Sequence, residues 1–125
     1  MERIIEGVVV EGRRLGRELG FPTANIELGE DPSLADGVYL SLVACEKGSF
    51  CALSNLGTNP TVGGNRRRLE SHLLDYDGGS LYGVSLRITL LKLLRPEQKF
   101  ENIEKLRRQI EEDVCWARLY FGGLR

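Results

Sequence analysis

No stretch of the sequence stays apolar for more than a few residues, and nothing approaches the ~20 apolar residues that cross a bilayer as a helix. A secretory apolar region is missing too, because Glu2, Arg3 and Glu6 stand where one would begin. A soluble, cytoplasmic protein with no membrane partner is expected. An excess of one charge is also absent. Seventeen basic residues face eighteen acidic ones, for a formal net charge of −1, which disfavours binding nucleic acid by bulk electrostatics. The three cysteines, Cys45, Cys51 and Cys115, are odd in number and lack a CxxC spacing, so they are expected to be reduced thiols buried as small hydrophobes. The single histidine, His72, argues against a built-in zinc site. No repeat, low-complexity tract or linker divides the 125 residues, so one domain spanning 1–125 is expected.

What is present suffices for a core, since 42% of the chain is hydrophobic and 28% charged. Thirteen of the seventeen basic residues are arginine, whose planar fork suits phosphate and carboxylate. Fifteen glycines between short apolar runs predict many turns and short strands. Strands are predicted over Ile4–Glu11, Gly37–Cys45, Phe50–Leu56, Arg68–Tyr76 and Leu81–Leu94, the second and third joined by a four-residue link, Glu46 to Ser49. Gly83 marks a bulge or a close backbone approach. Beyond Pro96 the apolar period lengthens: Ile103, Leu106, Ile110, Val114, Ala117 and Phe121 line one face of a helix, with Asn102 as N-cap and Gly122 and Gly123 as the stop. Five or six strands followed by one helix predict an all-β antiparallel barrel, with the helix on its outside or across one end.

Three stretches carry residues suited to chemistry. From Gly12 to Gly20, three glycines spaced by four alternate with arginines, which suits a backbone that approaches a phosphate and equally an ordinary surface turn. In Pro22-Thr23-Ala24-Asn25, Thr23 and Asn25 share one face of an extended segment and offer oxygens to a hard cation or to their own backbone. On a strand, Glu70, His72 and Leu74 share one face and Leu69, Ser71, Leu73 and Asp75 the other. The Glu70 and His72 pair fits acid–base work, and fits a salt-bridged strand as well. Arg66-Arg67-Arg68 suits a solvated hairpin tip, and the Gly-rich connection from Asn55 to Gly64 suits a mobile flap.

In combination, these stretches resemble the riboflavin kinase family. The matching residues are Gly12 through Asn25 with its Pro-Thr-Ala-Asn, Gly37-Val38-Tyr39, Asn55 through Thr61, Glu70-x-His72-Leu73-Leu74-Asp75, Leu81-Tyr82-Gly83, Leu94-Arg95-Pro96-Glu97 and Phe100. They run in the family's order from about Gly7 to Ala117. The resemblance implies a six-stranded antiparallel Greek-key barrel with a C-terminal helix, transferring the γ-phosphoryl of ATP to riboflavin to give FMN. It further implies Glu70 as catalytic base, and Thr23 and Asn25 as holders of Mg²⁺ or Zn²⁺ and of ATP. Other ATP contacts would fall to Gly12, Arg17, Leu73, Asp75 and Tyr82, and flavin contacts to Arg95, Gln98 and Phe100. The isoalloxazine pocket would lie between the flap and the start of the helical segment. One departure is Glu11, where many bacterial relatives have histidine; turned inward, it would weaken ATP binding. Bacterial relatives commonly carry an adenylyltransferase domain that makes FAD. With no room for one and no second histidine, kinase activity without FAD synthesis is expected, from a monomer or from the C-terminal part of a longer bifunctional protein.

Overall fold

A computed structural model describes residues 3–10, 23–29, 33–61 and 64–122. Six strands and a helix follow in chain order: β1 (Arg3–Val8), β2 (Ala24–Leu28), β3 (Gly37–Cys45), β4 (Gly48–Thr61), β5 (Gly64–Leu73), β6 (Ser85–Arg95) and α1 (Ile103–Gly122). They form one sheet in the order β1-β6-β3-β4-β5-β2, every pair antiparallel. β3, β4 and β5 run as a meander and β6 returns beside β3, which is a Greek key. The sheet curls until its edges nearly meet. There the amide of Val10 donates to the carbonyl of Asn25 at 2.8 Å, bridging the end of the first strand segment to β2.

Alternation along each strand fills this small barrel. Tyr39 and Val43, Ala52 and Leu56, Leu69 and Leu73, Leu86, Ile88 and Leu90, and Ala24 and Ile26 form its core. Val43, Leu56, Leu69 and Ile88 are 0% exposed, and each buried aliphatic side chain contributes roughly 1.5–3 kcal/mol relative to exposure. Three serines also face inward. Ser41, Ser54 and Ser71 are hydrogen-bonded in series at 2.8 and 2.7 Å, so each of these three buried hydroxyls has a partner.

β3 is buried on both faces from Gly37 to Ser41, because α1 covers the outer side of that part. Val38, Leu40, Leu53 and Leu74 of the barrel's exterior pack against Ala117 and Phe121, with Val114 at the margin. The helix begins as its sequence directs: the Asn102 side-chain oxygen accepts from the Lys105 amide at 2.9 Å, satisfying an otherwise orphaned donor. Only the C-terminal half of the apolar stripe reaches the barrel. Ile103, Leu106 and Ile110 instead face a cavity.

Several local expectations are corrected. β1 ends at Val8, and Glu11 lies outside the described residues, as do Gly12, Arg17 and the remainder of the Gly/Arg segment. The β3–β4 link is two residues, Glu46 and Lys47, because Gly48 takes a φ of 125°, which side-chain-bearing residues avoid. Across its described residues Asn55 to Gly64 is strand rather than flap: β4 continues to Thr61 and pairs in register with β5 from Gly64 onward, so ladder hydrogen bonds override the Gly and Pro signals. Arg66, Arg67 and Arg68 accordingly stand within β5, ion-paired to Glu27, Asp36 and Glu27; Arg66 is solvated as expected, whereas Arg67 and Arg68 are largely covered. β5 stops at Leu73, before Asp75 with its φ of 60°. β6 starts at Ser85; Gly83, φ 80°, serves a turn closed by the Val84 amide on the Leu81 carbonyl at 2.9 Å, while the register shifts fall on the β3–β6 pair. Cys115 is exposed and the other two cysteines are half-buried, contrary to the expectation of three buried thiols.

Candidate active site

Between the barrel's outer wall and α1 lies a cavity of about 650 Å³, within the range of small-molecule sites. The strand register orders its floor. Asn25 on β2 is opposite Glu70 on β5, Glu70 opposite Asn55 on β4, Asn55 opposite Val38 on β3, and Val38 opposite Arg95 on β6. One row of outward positions thus crosses five strands, polar at the β2 end, apolar at Val38 and cationic at Arg95. Leu53 and His72, also cross-strand partners, form a parallel row, and Thr23 lies just before β2. The roof comprises Glu97 to Phe100, Asn102, and the free half of the helix stripe, Ile103, Leu106 and Ile110.

At the β2 end, strand alternation turns Ala24 into the core and Asn25 outward, as the Pro-Thr-Ala-Asn pattern predicts. Asn25 is only 5% exposed, yet its Oδ1 has no hydrogen-bond partner among the described residues. A buried amide oxygen in that state costs roughly 1–3 kcal/mol and has the chemistry of a hard-cation ligand, as does the hydroxyl of neighbouring Thr23. These donors therefore fit a divalent cation. No group of three or more His, Cys, Asp or Glu suited to a metal occurs among the described residues. Glu70, half-buried on the cavity floor, is the carboxylate nearest this end in the register.

The opposite end is held by a buried ion pair. Arg95 Nε donates to Asp113 Oδ1 at 3.0 Å and Nη2 donates to Oδ2 at 2.9 Å, while Gln109 Nε2 donates to Oδ1 at 3.0 Å. This two-pronged clamp ties α1 to the end of β6 across a nearly dry boundary, with 5% of the Asp113 side chain and 18% of Arg95 exposed. Arg95 Nη1 donates to the Pro96 carbonyl at 3.3 Å, and the guanidinium lies 5.8 Å from the Phe100 ring centroid. Of five N–H groups, two have no partner among the described residues.

The structure thus gathers Thr23, Glu70, Arg95, Gln98 and Phe100 around one cavity, with Asn25 in register beside Glu70. Three other predicted residues do not line it. The Leu73 side chain points into the barrel core, 6% exposed, because it falls on the inward phase of β5. Asp75 lies in the turn after β5, paired with Arg118 through two hydrogen bonds of 3.1 and 3.2 Å that raise the Arg118 pKa further. Tyr82 is 64% exposed in the turn before β6. Sequence reasoning missed Asn55 and Asp113. Asp113 had left a signal, being three residues after Ile110 and four before Ala117, a carboxylate on the apolar stripe.

Comparison with known proteins bears on this arrangement. Residues 2–121 match the family model described as Flavokinase: Riboflavin kinase. The bifunctional riboflavin kinase/FMN adenylyltransferase of Escherichia coli K12 is 42% identical over 119 residues, 94% of this chain and 38% of that protein. The chain thus spans well under half the length of this curated relative. A crystal structure from Streptococcus pneumoniae, described as a macrolide-efflux protein, superposes with a TM-score of 0.83 at 31% identity, over 92% of this chain and 38% of that one. The riboflavin kinase of Trypanosoma brucei has the same fold, with a TM-score of 0.64 at 23% identity over 97% of this chain and 80% of that one.

Proposed function

The chain belongs to the riboflavin kinase family, and on that premise we propose that it transfers the γ-phosphoryl group of ATP to the 5′-hydroxyl of riboflavin, giving FMN and ADP. The observation that carries the proposal is the ordered cavity floor, with cation-type donors and a carboxylate at one end and an apolar, arginine-bounded chamber at the other.

Glu70 accepts the proton of the 5′-hydroxyl as oxygen bonds to phosphorus, a general-base contribution of about 10² to 10⁴ in rate. Thr23 and Asn25 hold Mg²⁺ or Zn²⁺, and the orphaned Asn25 oxygen supports this. The cation's chemistry is to cancel phosphate charge on ATP, where most of the barrier to phosphoryl transfer is lowered. Gly12 and Arg17 are proposed to contact the phosphates from outside the described residues, and Asp75, Tyr82 and the Leu73 backbone to contact the nucleotide. Arg95, Gln98 and Phe100 hold the flavin ring against Val38, Leu53 and the free helix stripe. The protein is read as a monomer acting on small molecules in the cytoplasm. No described helix is long and apolar enough to cross a membrane.

The test is to incubate the protein with riboflavin, ATP and either cation and to separate flavins by chromatography. FMN formation supports the proposal. Flavin bound without turnover under both cations refutes it in favour of a binding module.

A further inference from the structure

We infer that Asn55 is the residue that reads the hydroxyls of the ribityl chain, and so distinguishes a polyol-bearing flavin from one with a plain alkyl tail. The inference rests on the proposed phosphorylation of riboflavin and extends it to a position that opens one of the matching stretches, Asn55 through Thr61, but carries no role in the base, cation or flavin sites given above.

The register supplies a ruler. Adjacent strands lie about 4.8 Å apart, so along the floor from Glu70 the next positions come at about 5 Å for Asn55, 10 Å for Val38 and 14 Å for Arg95. From the terminal oxygen of riboflavin to its ring nitrogen there are six single bonds, as many as in two residues of extended chain, and hence about 7 Å. With the 5′-oxygen at Glu70, the side chain of Asn55 falls alongside the hydroxyl-bearing carbons. The ring begins before Val38 and ends near Arg95. The chemistry of each position matches: an amide with donors and an acceptor beside a polyol, an apolar wall beneath an aromatic ring, and a cation at the ring's polar edge. Asn55 is exposed on the cavity side of β4, so its amide is available to a ligand, and its inward-facing neighbours Ser54 and Leu56 are buried in the core. No other floor position between Glu70 and Val38 in this row carries a side chain, because only β4 lies between β5 and β3.

The experiment compares riboflavin with 7,8-dimethyl-10-(5-hydroxypentyl)isoalloxazine, which keeps the reacting hydroxyl and the ring but lacks the three internal hydroxyls. In the parent protein kcat/KM should favour riboflavin. Asn55→Ala should lower kcat/KM for riboflavin about 10- to 100-fold, the loss of one or two hydrogen bonds in an enclosed site, and leave the analogue within about twofold, so that the preference collapses. Asn55→Ser, with a smaller donor and acceptor, should retain part of it and serves as the second variant should alanine unfold the hairpin. Equal losses on both substrates, or an unchanged preference in both variants, would overturn the assignment while leaving the kinase proposal intact. A parent protein that makes no FMN overturns both.

Discussion

Replacing Asp113 by alanine removes both carboxylate acceptors of the Arg95 guanidinium and leaves that cation, 18% exposed, at the boundary between β6 and α1. Breaking a buried pair from one side typically costs about 3–5 kcal/mol, because the abandoned charge is neither solvated nor paired. Global stability of domains this size is about 5–15 kcal/mol, so the variant should fold but lose much of its margin. In urea, with a slope of about 1–3 kcal/mol per molar, the midpoint should fall by about 2 M. Circular dichroism follows the whole fold, and the lone Trp116, on α1 and 55% exposed, reports the helix. Arg95→Met combined with Asp113→Leu removes both charges and should recover most of the loss, since an apolar pair of similar volume is often neutral or better. A double-mutant cycle measures the coupling. Because the clamp positions the cavity roof, Asp113→Ala should also weaken riboflavin binding more than ATP binding. A stability loss below about 1 kcal/mol for Asp113→Ala, or a double variant as unstable as the two single losses summed, would refute the buried-clamp reasoning.

Glu70→Gln keeps the shape of the side chain and removes its basicity; turnover should fall at least about tenfold with ATP affinity nearly unchanged, and full turnover would remove Glu70 from the chemistry. Asn25→Ala deletes the unpartnered oxygen and should raise the cation concentration needed for half-maximal activity by about tenfold or more, read by titrating Mg²⁺ and Zn²⁺. For Asp36, burial opposes ionisation, but hydrogen bonds from Arg67 and Thr58 and the Arg67 charge outweigh it and hold the carboxyl below 3.8. A depressed folded-state value means that this contribution is complete above the unfolded value and is lost as pH falls through the folded one. Denaturation followed below pH 3.8 should therefore show a shallower acid loss for Asp36→Asn than for the parent, and parallel curves would contradict it.

Much of the architecture could be read from local pattern. The apolar strand Gly37–Cys45, the Leu69-Ser71-Leu73 phase, the three-and-four spacing after Pro96 and the Asn102 cap each depend on nearby residues alone, and each appears in the structure. Where long-range pairing competes with local preference, the reading failed. Asn55 to Gly64 looks like a loop by its glycines and proline, but β5 supplies a partner for every rung, and cooperative ladder formation prevails over weak propensity.

Of the candidate site, the sequence by itself determined the chemical inventory: a carboxylate in Glu70, neutral oxygens in Thr23 and Asn25, an arginine and an aromatic ring in Arg95 and Phe100. It also determined which of them share a face, since a strand's period of two is a local property. Only the tertiary structure decided their order in space. Asn25, Glu70, Asn55, Val38 and Arg95 come from five strands scattered over seventy residues, and register is set by the burial of their inward neighbours rather than by anything near them in the chain. The same is true of Asp113, whose carboxylate has no partner within its own helix except Gln109 until β6 delivers Arg95. That meeting holds half of an apolar stripe off the barrel and leaves the cavity in which the proposed chemistry takes place.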